Sequence, residues 1–246
     1  MACTINASIT STGLISSGDA TGNLSLQSDG ITGLSINSGG KVVLANTALS
    51  TASAGTLEYD GSIPYFTPLS TQRGVIPGMQ YYRLNSGLAG ANATGAQNFF
   101  GVGVSLSAST VYVFESVIAH IKTAGVTNHT TSIGFGGTAT VNNIGYLCQN
   151  QSDGTASTTI PYSGSVINTW ISTVNATTIS GGSTTAYAIR YYHIRGTVSI
   201  NSAGTFIPQY SLSAAPGGAY TTQIGSYFLI YPIGAAGSNT SVGTWA

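Results

Sequence analysis

The chain has 246 residues, six of them Lys or Arg and six Asp or Glu, so its formal net charge is zero. Charged side chains make up 5 % of it, against about 25 % in an average globular domain. Six cations in balance with six anions give neither the basic stripe that binds nucleic acid nor a polybasic patch for an anionic membrane, so neither partner is expected.

A chain that is 42 % hydrophobic, with 14 Tyr and 7 Phe, has enough apolar surface to fold, which excludes a disordered segment. Its 33 glycines keep no three-residue period, which excludes collagen. A Ser/Thr/Gly-rich, charge-poor, aromatic-bearing composition points to an all-β fold. With near-zero net charge a free monomer is poorly protected against association, and its hydroxyl and amide surface suits a component of an assembled particle.

The N-terminus, Met1-Ala2-Cys3-Thr4-Ile5-Asn6, has no basic segment followed by an apolar one, so no secretory leader is expected. No apolar run approaches the ~18 residues of a spanning helix. The two cysteines, Cys3 and Cys148, are not expected to pair without an oxidising context.

Residues 1–54 carry no aromatic side chain. Leu24-Ser25-Leu26-Gln27-Ser28-Asp29-Gly30 is echoed ten residues later by Leu34-Ser35-Ile36-Asn37-Ser38-Gly39-Gly40, and Val42-Val43-Leu44 starts a third segment. Period-two alternation cut by Gly-rich turns predicts short strands. Strands with one thin apolar face make no core alone, so this region is read as a β-repeat that anchors the protein or assembles it. Residues 55–80 read as a junction. Gly55-Thr56-Leu57-Glu58-Tyr59-Asp60-Gly61 ends in an Asp-Gly turn signal. Pro64, Pro68 and Pro77 then predict an ordered but irregular path.

Residues 81–246 read as one β-domain. Long strands are predicted over Val111–Lys122, Ala186–Ile200 and Ile224–Ile233. Gly101-Val102-Gly103, Gly134-Phe135-Gly136-Gly137 and Pro216-Gly217-Gly218 are read as turns. About eight strands in ~165 residues fit an antiparallel jelly-roll sandwich.

The titratable residues are few enough to test for chemistry one by one. Glycoside hydrolysis needs two carboxylates across one bond; of the acids, only Glu115 and Asp153 fall in the large domain, and nothing in the sequence pairs them. His120 and His193 sit on different predicted strands and read as half-exposed strand residues rather than metal ligands. No nucleophile elbow and no phosphate-cradling glycine loop are present. No enzyme activity, cofactor or metal is therefore expected. Tyr buries area while keeping a polar handle, so the many tyrosines are read as core and interface residues. Tyr187, Tyr191, Tyr227 and Tyr231, with Arg195 and Glu115, are the candidate interface set. The few ions, Arg83, Glu115, Lys122, Arg190 and Arg195, are read as ion pairs or interface contacts.

Two groups of segments carry a resemblance. Gly55-Thr56-Leu57-Glu58-Tyr59-Asp60-Gly61, Pro64-Tyr65-Phe66-Thr67 and Arg73-Gly74-Val75-Ile76-Pro77 resemble the junction of tailed-bacteriophage virion structural proteins, where a repetitive N-terminal part meets a C-terminal head. Arg195–Ile200, Gly204–Ser211 and Gly225–Gly234 resemble the closing strands of trimeric jelly-roll heads in phage fibres, spikes and capsid decoration proteins. Across residues 55–246 the resemblance implies a binding and assembly protein of the virion, on the capsid exterior or the tail, made in the host cytoplasm. It implies a homotrimer, attached to capsid or tail proteins through residues 1–54, and it transfers no catalytic residue. A chain this short, with no long shaft, is expected as a decoration protein or short fibre. The alternative is a receptor- or glycan-binding tail fibre module that meets a host surface glycan through exposed Tyr, Asn and Gln.

Overall fold

A computed structural model describes residues 24–28, 31–153 and 166–245. Cys3, Asp19, Asp29 and the first part of the 1–54 segment lie outside the described residues, and with them the question of a Cys3–Cys148 bond. The fold is all-β, with no helix among the described residues.

The ten-residue echo in the sequence becomes a hairpin. β1 (Leu24–Ser28) pairs antiparallel with β2 (Ile31–Ile36), and Leu26 faces Leu34. β3 (Val42–Leu44) completes a three-stranded sheet. Leu24, Leu26, Ile31, Val42 and Val43 all remain exposed on it, so this sheet does not bury its own apolar residues.

The junction is more regular than its prolines predict. β4 (Thr56–Tyr59), β5 (Pro64–Thr67) and β6 (Gly74–Val75) form a second three-stranded sheet. Pro64 is tolerated because it opens its strand, where no ladder donor is needed. Asp60 Oδ1 accepts from the backbone N–H groups of Ser62 and Ile63, both at 2.8 Å, and Gly61 turns the chain at φ 91°. Glu58 ties β4 to the loop at Ser50 and to the chain entering β6 at Arg73. Its Oε2 accepts from Arg73 Nε at 2.9 Å and Nη2 at 2.6 Å, and its Oε1 accepts from Ser50 N at 2.9 Å and Ser50 Oγ at 2.6 Å. These bonds from Ser50 and Arg73 hold its carboxyl below the usual range despite partial burial.

The large domain opens at β7 (Gln80–Arg83) and continues through β8 (Leu88–Ala89), β9 (Gln97–Asn98), β10 (Val104–Leu106), β11 (Thr110–Lys122), β12 (Thr131–Gly136), β13 (Thr140–Asp153), β14 (Val166–Ile171), β15 (Thr177–Thr178), β16 (Ala188–Ser202), β17 (Gly204–Leu212), β18 (Tyr220–Thr222) and β19 (Tyr227–Ala235). The excess over the eight expected strands consists of two- and three-residue pieces. One sheet runs β14-β13-β16-β11, then splits. The first half of β11 pairs β19, which carries β7, and its end pairs β18, which carries β8. The other sheet runs β10-β17-β12-β15, with β9 also on β17. Every pairing is antiparallel.

Rings from both sheets meet between them. Phe114 (β11) lies 5.2 Å from Phe135 (β12) and 6.0 Å from Phe206 (β17), and Phe135 stacks on Phe206 at 4.5 Å. Gly134 and Gly136 are strand residues rather than turn residues. A Cβ at Gly134 would lie 2.8 Å from the Val174 carbonyl oxygen, so the missing side chain lets the chain before β15 pack flat on β12. The turn proper falls to Gly137, at φ 115°.

Candidate assembly face

Strand pairing sets side chains in rows across the large sheet. One row, on the face away from the core, reads Trp170 (β14), Leu147 (β13), Arg195 (β16), Glu115 (β11), Leu229 (β19), Tyr81 (β7), each residue directly opposite the next. The neighbouring row reads Asn168, Gln149, His193, Val117, Tyr227, Arg83. Period-two alternation therefore gathers residues from six strands onto one surface.

Five of the six interface candidates lie on this face: Tyr191, Tyr227, Tyr231, Arg195 and Glu115. The sixth, Tyr187, sits exposed just before β16. Trp170 is 69 % exposed, Tyr81 55 %, and Val117 and Tyr191 39 % each. Large apolar groups thus stand in water in the middle of a sheet, where a monomer gains nothing from them.

A polar chain threads this apolar surface. Tyr227 donates its hydroxyl to Glu115 Oε1 at 2.8 Å. Desolvation, then this bond, pushes the Tyr227 phenol up to about 12. His193 Nε2 lies 3.7 Å from the same carboxylate oxygen. His193 Nδ1 meets Gln149 Oε1 at 3.2 Å, and Gln149 Nε2 donates to Asn168 Oδ1 at 3.0 Å. An amide oxygen only accepts, so Nδ1 carries the proton and Nε2 faces Glu115. Arg195 stands opposite Glu115 without pairing with it; Glu115 turns to Tyr227 and His193 instead. At the edge of the face the Trp170 indole lies across Gly145, where a Cβ would come within 2.9 Å of its Cζ2.

The buried histidine and cations depart from expectation. His120 and His193 occupy adjacent strands but opposite faces of the sheet, so they do not meet. His120 is fully buried rather than half-exposed. Lys122 and Arg190 are also buried, and neither forms an ion pair among the described residues. Glu115 and Asp153 pair with Arg195 and Ile189, six positions apart along β16 and hence about 20 Å. That is roughly twice the widest carboxylate spacing used in glycoside hydrolysis. Cys148 is buried, with no disulfide partner among the described residues, and burial pushes its thiol up to about 12. Sequence reasoning missed Trp170. Its segment Val166-Ile167-Asn168-Thr169-Trp170-Ile171 has the β-branched and aromatic content of a strand, and that signal was present.

A second concave feature lies between the edge strands of the two sheets. A groove of about 310 Å³ is lined by Tyr81, Tyr82, Phe100, Val102, Phe206 and Phe228, among others.

The chain matches no family model and no curated protein sequence.

Proposed function

We propose that this chain is a structural component of a bacteriophage virion, a capsid decoration or short-fibre protein that acts by binding and assembly and works as a homotrimer. The observation that carries the assembly role is the outer face of the large sheet. It joins Trp170, Val117, Tyr191 and Leu229 to a Glu115 carboxylate that already accepts a hydrogen bond from Tyr227, so a second copy covers it without burying a carboxylate that lacks a donor. Closed symmetry lets every protomer bury the same patches. The exposed aliphatic residues of β1–β3 support an attachment role for the N-terminal region. It would hold a capsid or tail protein by strand addition, which requires few charges. The virion assignment itself rests on the sequence resemblance.

Mass spectrometry of purified virions that package the encoding gene tests this reading. Copies in a multiple of three per particle are expected; absence of the chain from the particle overturns it. The aromatic groove at Tyr81, Tyr82 and Phe100 favours a second reading, a glycan-binding fibre module, because aromatic faces stack on sugar rings. Binding to a host glycan array that Tyr82→Ala abolishes would select it.

A further inference from the structure

The end of the sandwich opposite the Phe114 cluster buries positive charge with no counter-charge among the described side chains. Lys122 closes β11, Arg190 stands across from His120, and Lys122 stands across from Tyr220. Lys122 is fully buried and Arg190 nearly so. Lys122 Nζ lies 5.8 Å and Arg190 Cζ 5.9 Å from the centre of the Tyr220 ring, so one aromatic ring serves both cations. The Tyr220 hydroxyl is held by His129. His129 Nδ1 donates to the Thr127 carbonyl at 2.7 Å, so Nε2 accepts from the tyrosine at 2.8 Å.

The donors outnumber the acceptors. Lys122 Nζ, with three protons, donates to the Gly125 carbonyl at 2.9 Å. Arg190 donates through Nη1 to Ser180 Oγ and also to the Tyr220 hydroxyl, while its buried Nε has no partner. A guanidinium cannot give up its proton at any ordinary pH, and a buried unpaired charge is strongly disfavoured. The acids whose side chains are described are engaged elsewhere: Glu58 with Arg73, Asp60 with its own turn, and Glu115 with Tyr227 on the outer face.

We infer that a small monovalent anion of halide size resides between Lys122 and Arg190 and accepts from Lys122 Nζ and Arg190 Nε. Both side chains that would hold it are buried, which favours chloride over a multiply charged oxyanion with its larger dehydration cost. Bound there, it lets both cations keep their charge. Without it, burial and the neighbouring guanidinium push the Lys122 ammonium down.

The test is thermal unfolding of the full chain in sodium chloride and in sodium isethionate at equal ionic strength. At about 0.5 M salt the melting temperature is expected to be about 5 °C higher in chloride. Lys122→Met should erase that difference, and a crystal soaked in bromide should show an anomalous peak within hydrogen-bond distance of Arg190 Nε. Equal melting in the two salts overturns the proposal, as does a chloride gain that Lys122→Met retains. If Lys122→Met does not fold, the bromide soak decides: no peak at Arg190 overturns it. A wild-type protein indifferent to chloride, with Asp153→Asn strongly destabilised in both salts, would make a protein carboxylate the counter-charge and also overturn it.

Discussion

His120→Phe tests how the sandwich tolerates acid. The imidazole stacks on Tyr220 at 4.6 Å and meets Tyr210 edge-on at 4.4 Å and Phe99 at 5.3 Å. Both ring nitrogens are buried without a partner. The charged group that acts on it is Arg190, directly across on β16. Desolvation first, then the Arg190 charge, lowers its pKa from 6.5 to about 3. The folded state therefore holds fewer protons than the unfolded state in this range, and stability falls as pH drops below 6.5. From pH 6.5 to pH 5 the loss is 1.5 units at about 1.4 kcal/mol each, or about 2 kcal/mol from this residue. That corresponds to a fall in melting temperature of about 4–8 °C. Glu58 and Asp60, held below their usual ranges, lose their contributions only at lower pH, so they do not overlap this window. The assay is a set of thermal melts from pH 7 to pH 5 in chloride-free buffer. Phe fits the same aromatic slot and cannot titrate, so the variant should keep only the shallower slope that His129 supplies, its pKa also lowered by burial. Identical pH dependence in wild type and variant would refute the reasoning.

Phe114→Ala removes a fully buried ring that touches Phe135, Tyr146, Phe206 and Phe228. It should cost about 3–5 kcal/mol in denaturant unfolding with an unchanged m-value. Gly134→Val drives a side chain into the Val174 carbonyl, which is backbone and cannot swing away; a loss of about 3 kcal/mol or an insoluble product is expected, and a soluble protein of wild-type stability would contradict the close packing. Arg73→Met unties Glu58 from the junction, so limited proteolysis within residues 45–80 should speed up severalfold while the melting of the sandwich stays put.

Much of the fold was legible because period-two patterning is local. Val111–Lys122 and the run ending in Tyr227-Phe228-Leu229-Ile230-Tyr231 carry it openly, and β11 and β19 follow. The outer face was partly legible for the same reason: alternation sets Tyr187, Ile189, Tyr191, His193 and Arg195 on one side, and Tyr191, His193 and Arg195 do line the face, while Ile189 is buried and Tyr187 precedes the strand. Three features depended on pairing, which a sequence does not display. Gly134-Phe135-Gly136 looks like a turn until β15 and β17 flank it and need the space of the missing side chains. Glu115 looks like a partner for Arg195 until Tyr227 arrives from 112 positions downstream with a better-placed donor. Lys122 and Arg190 look like surface ions, because charges this deeply buried are rare. Only the register of β11 with β16 and β18 turns both toward the core.

The native mass of the full chain and of Val117→Arg, measured by light scattering, bears most directly on the assembly claim. Val117 sits between His193 and Tyr227 near the middle of the outer face. An arginine there puts a long charged side chain where a second copy would dock, while the core behind it is untouched. The account predicts about 75 kDa for the wild type, three times the 24.9 kDa of one chain. It predicts a single-chain mass for the variant, with an unchanged β-type circular dichroism spectrum. A wild-type protein of single-chain mass, or a variant that still assembles, would contradict it.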